Sequence, residues 1–216
     1  SVVYWSLKRG VPVIANFAIN TEKIKGKKAD FIERSNDELS PDYLINYALN
    51  YANGKRIKEG SLLLVIDECQ LMFNAREWNV KGRAEWLSFF TQHRKFGYDI
   101  ILVAQFDRMI DRQIRALIEY EQVHRKVSNF GIKGKILSLI MGGNVFVSVK
   151  VWYPMKEKTG ADFFHARKKY YSLYDTFNMF GSGTGGGTGS PPVTEPDLLA
   201  VQSDNNACGV LDNSNT

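Results

Sequence analysis

Asp67 and Glu68 stand side by side directly after Leu62-Leu63-Leu64-Val65-Ile66, the most apolar run of the chain. Two adjacent carboxylates there are not core material, because burying unpaired charge is costly. Nucleotide hydrolysis uses such a pattern. The first acid holds Mg2+, directly or through water, and the second orients the attacking water. The plain alternative is a strand-to-loop junction with two solvated acids. Gln105 follows a second apolar run, Ile100–Ala104. An amide at the end of an adjacent strand could sense a γ-phosphate or help place the water, or it could simply terminate the strand.

Arg108, Arg112 and Arg115 fall at i, i+4 and i+7 of a helix expected over 108–120, with Ile110, Ile114, Leu117 and Ile118 opposite. Such a stripe is commonly solvated, or pairs with Asp111 and Glu119. It could also contact DNA phosphates, or send one arginine to a neighbour's phosphate as a finger. Arg94 and Lys95 make a smaller basic site beside His93, which reads as structural. No His/Cys spacing fits zinc.

A phosphate-cradling loop would read G-x-x-x-x-G-K-[ST], and residues 1–216 contain none. Gly131-Ile132-Lys133-Gly134-Lys135-Ile136 has the wrong spacing and no Ser or Thr. Gly26-Lys27-Lys28 has no Gly five residues earlier, and the glycines after residue 180 have no lysine. That loop holds the β- and γ-phosphates, so these residues alone are expected not to bind nucleotide productively. Either the chain is no NTPase or the loop lies upstream of Ser1. The start Ser1-Val2-Val3, without Met, reads as a cut edge.

The elements that would position these residues alternate. Val2–Arg9 ends at Gly10 with two basic residues, a helix C-terminus. Val11–Ala15 is a short strand, and 21–40 reads as irregular. Ser40-Pro41 starts a helix that runs to Asn53-Gly54. Leu62–Ile66 lacks alternation, as a strand buried on both faces does. A helix over about 84–96 carries Trp86, Phe89 and Phe90 inward and ends at Gly97, before the strand Ile100–Ala104. Val123–Val127 and Val145–Val151 are further strands. The order predicts an α/β fold with a mostly parallel open sheet flanked by helices, where ligands sit beyond the carboxyl ends of the strands.

Length and composition agree. The 216 residues, 44% hydrophobic and 24% charged, suit one globular domain. Two cysteines build no disulfide framework, which points to a reducing cytosol. No apolar run approaches the roughly 18–20 residues of a membrane helix. Four acids and no Lys or Arg follow residue 180, so the net charge of +5 becomes +9 over residues 1–180. That excess suits polyanions, or ordinary solubility. Gly181–Pro192 has linker composition, so 1–180 is the expected folded domain and 181–216 an expected disordered tail.

Several segments together resemble the zonular occludens toxin (Zot) family, the assembly ATPases of filamentous phages. They are Leu62–Ile66 with Asp67-Glu68-Cys69-Gln70; Trp86, Phe89-Phe90 and His93-Arg94-Lys95-Phe96-Gly97-Tyr98-Asp99 running into Ile100–Gln105; Ile110-Asp111 with Ile114-Arg115; and Tyr170–Thr176. The resemblance spans roughly Val2 to Phe177. It implies a P-loop NTPase-like fold, here without the first strand and phosphate loop. It further implies Asp67 at the Mg2+ position, Glu68 as the water-activating residue, Gln105 as the sensor and Arg115 as the favoured finger. ATP and Mg2+ would be cofactors of the intact parent. A homo-oligomeric ring, phage assembly or coat proteins and single-stranded DNA would be its partners, in the host cytoplasm or at the inner membrane through partners. The expected function is a phage assembly and extrusion ATPase, inactive as this piece. The alternative is a non-catalytic basic module that binds DNA or phage proteins.

Overall fold

The computed structural model describes residues 1–75 and 82–174. The expected tail, 181–216, lies outside the described residues.

Helix α1 (Val2–Arg9) stops where Gly10 takes a left-handed conformation, φ 89°, with Lys8 and Arg9 in the last turn. Strands β1 (Val13–Ala15) and β2 (Phe31–Glu33) follow. Helix α2 (Pro41–Ala52) begins with Ser40 Oγ accepting the Tyr43 N–H, and Pro41 occupies the first turn. Next come β3 (Leu62–Ile66), α3 (Arg83–Gln92), extended by a 3-10 turn over His93–Phe96, and β4 (Tyr98–Leu102). Gly97 ends that turn at φ 76°, where a Cβ would stand 2.6 Å from Ile57 Cγ1, so a side chain is excluded twice over.

All four strands pair in parallel, in the order β2-β1-β3-β4. Alternation divides the core into two. Ile14, Leu62, Leu64 and Ile66 face α2 and α3, where Leu44, Phe89, Phe90 and Trp86 receive them. Val13, Ala15, Leu63 and Val65 face Leu7 of α1, with Ile24 and Leu173. Helices therefore cover both faces of the sheet, and β3 is buried along its whole length. Tyr98, fully buried, donates its hydroxyl to the Leu44 carbonyl at 2.8 Å and fastens β4 to α2.

The sheet is the expected parallel one, flanked by helices, but it is not the only sheet. Strands β5 (Tyr120–Lys126), β6 (Val145–Trp152) and β7 (Glu157–His165) form a separate antiparallel sheet in the order β5-β6-β7. Between β5 and β6 lies helix α5 (Gly131–Ile140). The strands expected at Val123–Val127 and Val145–Val151 are β5 and β6. The continuous helix expected over 108–120 is corrected. The chain makes a 3-10 turn over Asp107–Met109, leaves helical geometry at Ile110, and restarts as α4 (Arg112–Arg115). The Asp111 carboxylate caps the restart by accepting the Gln113 N–H at 2.7 Å. A local cap and the bridge between Ile110 and Asn74 outweigh the helical spacing of the arginines. The last described element is α6 (Lys168–Tyr171).

Candidate functional site

The carboxyl ends of β1, β3 and β4 lie side by side, because Ala15 is in register with Val65 and Ile66 with Leu102. Asn16, Asp67 and Val103 are the next residues along, so the acidic pair opens at one end of the parallel sheet. Asn16 pins the first acid by its backbone. Its Oδ1 accepts the Asp67 N–H at 2.7 Å, and its Nδ2 donates to the Asp67 carbonyl at 2.8 Å and to Asn36 Oδ1 at 2.8 Å. Asp67 is half-buried, and its Oδ1 accepts the Glu68 N–H at 2.9 Å.

Glu68 is exposed and sits in the left-handed region, φ 46° and ψ 42°. A non-glycine residue held there stores on the order of 1–3 kcal/mol, the kind of strain that gathers at functional sites. The turn is fixed on its far side by β4. The Cys69 N–H donates to the Val103 carbonyl at 3.0 Å, and the Val103 N–H to the Ile66 carbonyl at 2.9 Å. Cys69 is fully buried, and burial, helped by the Asp67 charge, pushes its thiol up to about 12. It is a packing residue there, not a nucleophile.

Tyr174 completes the surroundings. Its ring lies 5.9 Å from that of Phe17, centroid to centroid. Partial burial first, then the charges of Asp67 and Glu68, hold its phenol above the ordinary tyrosine range. Leu173 anchors this segment in the core, with its carbonyl accepting the Asn20 N–H at 2.8 Å.

Gln105 is exposed, beyond the end of β4 at Leu102, on the same edge as the acids. The arginines do not form one face. Arg108 and Arg112 are exposed, whereas Arg115 is partly buried, with Nη1 4.0 Å from the Asp107 carboxylate. Asp111 pairs not with them but with Arg83, at 2.6 Å, in a largely buried ion pair. Glu119 pairs with Arg94 at 2.6 Å, and Glu59 also meets Arg94, at 3.2 Å, so that smaller basic site is largely neutralised. Asp107 also accepts the Tyr153 hydroxyl at 3.0 Å and faces Lys156 at 3.8 Å, tying the turn after β4 to the antiparallel sheet.

Among the described residues no group of three or more His, Cys, Asp and Glu could hold a metal. Asp67 and Glu68 are two adjacent carboxylates at the end of β3. That donor set fits Mg2+ as it binds with nucleotide, where one or two carboxylates suffice and phosphates and water complete the shell. Asn16 was not singled out from the sequence, although a polar amide closing an apolar strand is the same signal that marks Gln105. Arg83 gave no signal, because its partner is brought near only by the fold.

A model of the family described as zonular occludens toxin (Zot) matches residues 3–175. The chain belongs to the Zot family. Against curated relatives, this Zot chain is 33% identical over 129 residues to the Gene 1 protein of Enterobacteria phage M13, covering 56% of the chain and 37% of that protein. It is 30% identical over 185 residues to the Gene 1 protein of Escherichia phage If1, covering 79% and 52%. The chain thus spans about a third to a half of the length of these relatives. Among solved structures it is similar to the N-terminal domain of zonular occludens toxin from Neisseria meningitidis, with TM-score 0.45, 15% identity and coverage of 76% and 80%. It is also similar to the genome packaging NTPase B204 from Sulfolobus turreted icosahedral virus 2 in complex with ATP-gammaS, with TM-score 0.42, 14% identity and coverage of 76% and 86%.

Proposed function

We propose that this Zot-family chain is the metal-binding and water-activating part of a P-loop ATPase that drives filamentous-phage assembly, coupling Mg-ATP hydrolysis to export of the virion or its single-stranded DNA. The observation that carries the reading is the placement of Asp67 and Glu68. They follow the central, fully buried strand, with the backbone of Asp67 clamped by Asn16 and Glu68 held left-handed and open to solvent. The clamp fixes the backbone from which the Asp67 carboxylate springs, and the Glu68 N–H holds one of its oxygens, so the pair is placed before any ligand arrives, as positioning and electrostatic stabilisation require.

In this reading Asp67 would hold Mg2+, directly or through water, when nucleotide is bound. Glu68 would accept the proton of the attacking water, and Gln105, beyond the end of β4, would serve as the sensor of the γ-phosphate. The phosphate loop, absent from the sequence of residues 1–216, would belong to a segment pairing along the free edge of β4, which is one of the two edge strands of the parallel sheet and lies beside β3. Arg115 enters as the finger residue only if a neighbouring subunit in a ring draws it from Asp107. The partners are further copies of the chain, phage assembly or coat proteins, and single-stranded DNA, on the cytoplasmic side of the host membrane.

The test is magnesium-dependent phosphate release. The 216-residue chain is expected to release none, and a form extended with the strand and G-x-x-x-x-G-K-[ST] loop is expected to turn over ATP. An extended form that binds ATP and releases no phosphate would favour a non-catalytic basic module instead.

A further inference from the structure

Helix α5 is packed inside out. Its buried residues are Gly134 and Ser138, and its large apolar side chains face solvent. Ile132 is 78% exposed, Ile136 55%, Leu139 81% and Ile140 77%. The inward side is fixed by contact: a Cβ at Gly134 would collide with the Val127 carbonyl oxygen and stand 2.8 Å from Phe130 Cβ. The helix therefore cannot roll to bury its isoleucines without breaking that seat.

At about 100° per residue, Leu139, Ile132, Ile136 and Ile140 share an arc of roughly 100°. Lys135 borders this arc on one side and Lys133 on the other, and Gly134 and Ser138 lie opposite. Beside the helix start, His124, Arg125, Lys126, Asn129 and Phe130 line an open cleft of about 370 Å³. From Gln122 through Lys150 the chain has five Lys and Arg and no Asp or Glu.

We infer that α5 docks in the plane of an anionic phospholipid bilayer, its isoleucines entering the acyl boundary and the flanking lysines and the His124–Lys126 cleft meeting lipid phosphates. Apolar residues on one side with lysines at the margins are the pattern of an interfacial helix. At ten residues α5 is far short of the roughly twenty that span a bilayer. Charge argues against the other occupants. A second copy packed on the same face would bring the lysines of both helices together, and residues 122–150 supply no acid to neutralise them. DNA would satisfy the lysines and leave the isoleucines in water. The inference does not depend on the ATPase reading.

Vesicle flotation of the 216-residue protein tests it. The chain is expected to float with vesicles of mixed phosphatidylglycerol and phosphatidylcholine, and weakly with phosphatidylcholine alone. Ile132→Ser, Ile136→Ser and Ile140→Ser combined should lower partition by about tenfold or more, with an unchanged melting temperature because these side chains are exposed. In the unaltered chain, hydrogen exchange over residues 131–140 should slow when anionic vesicles are added. Absence of flotation with anionic vesicles overturns the inference, as does equal flotation of the triple variant or unchanged exchange over α5. If the triple variant instead dissolves a dimer seen by sedimentation, and no flotation occurs, a second copy is the occupant. Binding to DNA alone, lost on Lys133→Gln with Lys135→Gln, likewise overturns it.

Discussion

The side-chain amide of Asn16 holds both backbone polar groups of Asp67, accepting the N–H at 2.7 Å and donating to the carbonyl at 2.8 Å. The two residues follow neighbouring parallel strands, so one side chain does across the sheet what another ladder residue would have done, and leaves the Asp67 carboxylate outside the ladder, where its Oδ1 accepts the Glu68 N–H.

Removing that clamp should be measurable. Asn16→Ala loses both bonds to Asp67 and one to Asn36, at about 0.5–1.5 kcal/mol each, so stability should fall by roughly 1.5–4.5 kcal/mol in urea unfolding. Asn16→Asp keeps an acceptor for the Asp67 N–H but loses the two donated bonds and adds a third carboxylate, so it should cost at least as much at neutral pH. A loss under about 0.5 kcal/mol for both variants, as at an ordinary surface site, would contradict the clamp.

Arg83 and Asp111 meet at 2.6 Å with side chains 18% and 6% exposed. Removing one partner strands the other charge, so Arg83→Ala should destabilise by about 3–5 kcal/mol. Asp111→Asn keeps a capping side chain for α4 but breaks the pair. A double-mutant cycle should give a coupling of at least about 1 kcal/mol. Additive losses would place the pair among weak surface bridges.

Alkaline pH should unfold the protein through two buried groups. Burial raises the Cys69 thiol from its model-compound value of 9.0 to about 12 and also raises the Tyr98 hydroxyl, so the native state keeps protons that the unfolded chain releases. Stability is therefore complete below about pH 9 and falls as pH rises toward 12, with a limiting slope of about 1.4 kcal/mol per pH unit for each group. Cys69→Ala should flatten the decline between about pH 9 and 10, where the thiol dominates. Urea midpoints across this range check it, and an unchanged slope in Cys69→Ala would contradict the assignment.

Three of the four parallel strands were legible because they carry their signals locally, whereas β2 (Phe31–Glu33) lies in 21–40, which reads as irregular and is a strand through its pairing with β1. Leu62–Ile66 lacks alternation and is buried on both faces, and Gly10, Ser40-Pro41 and Gly97 punctuate the helices as their types require. What sequence could not yield depends on distant partners. Strand β7 has no alternating apolar pattern and is mostly exposed; it exists through pairing with β6. Helix α5 carries two glycines that lower its propensity, and one of them is required by contact with Val127. The arginine spacing over 108–115 suggested one helix face, whereas Asp111 breaks it by capping a new turn and pairing with Arg83. At the site, Asp67 and Glu68 could be read from their position after β3. The left-handed backbone of Glu68 and the clamp of Asn16 could not, since both need the register of β1 against β3.

The central claim is that Glu68 activates water, and turnover by a loop-bearing form of the chain carrying Glu68→Gln tests it most directly. The amide keeps the size and exposure of the side chain but accepts no proton. ATP affinity should stay near that of the unsubstituted form, while magnesium-dependent turnover drops by about a hundredfold or more, the loss expected for a positioned general base. Turnover equal to that of the unsubstituted form would contradict the claim and return Asp67-Glu68 to a solvated strand end.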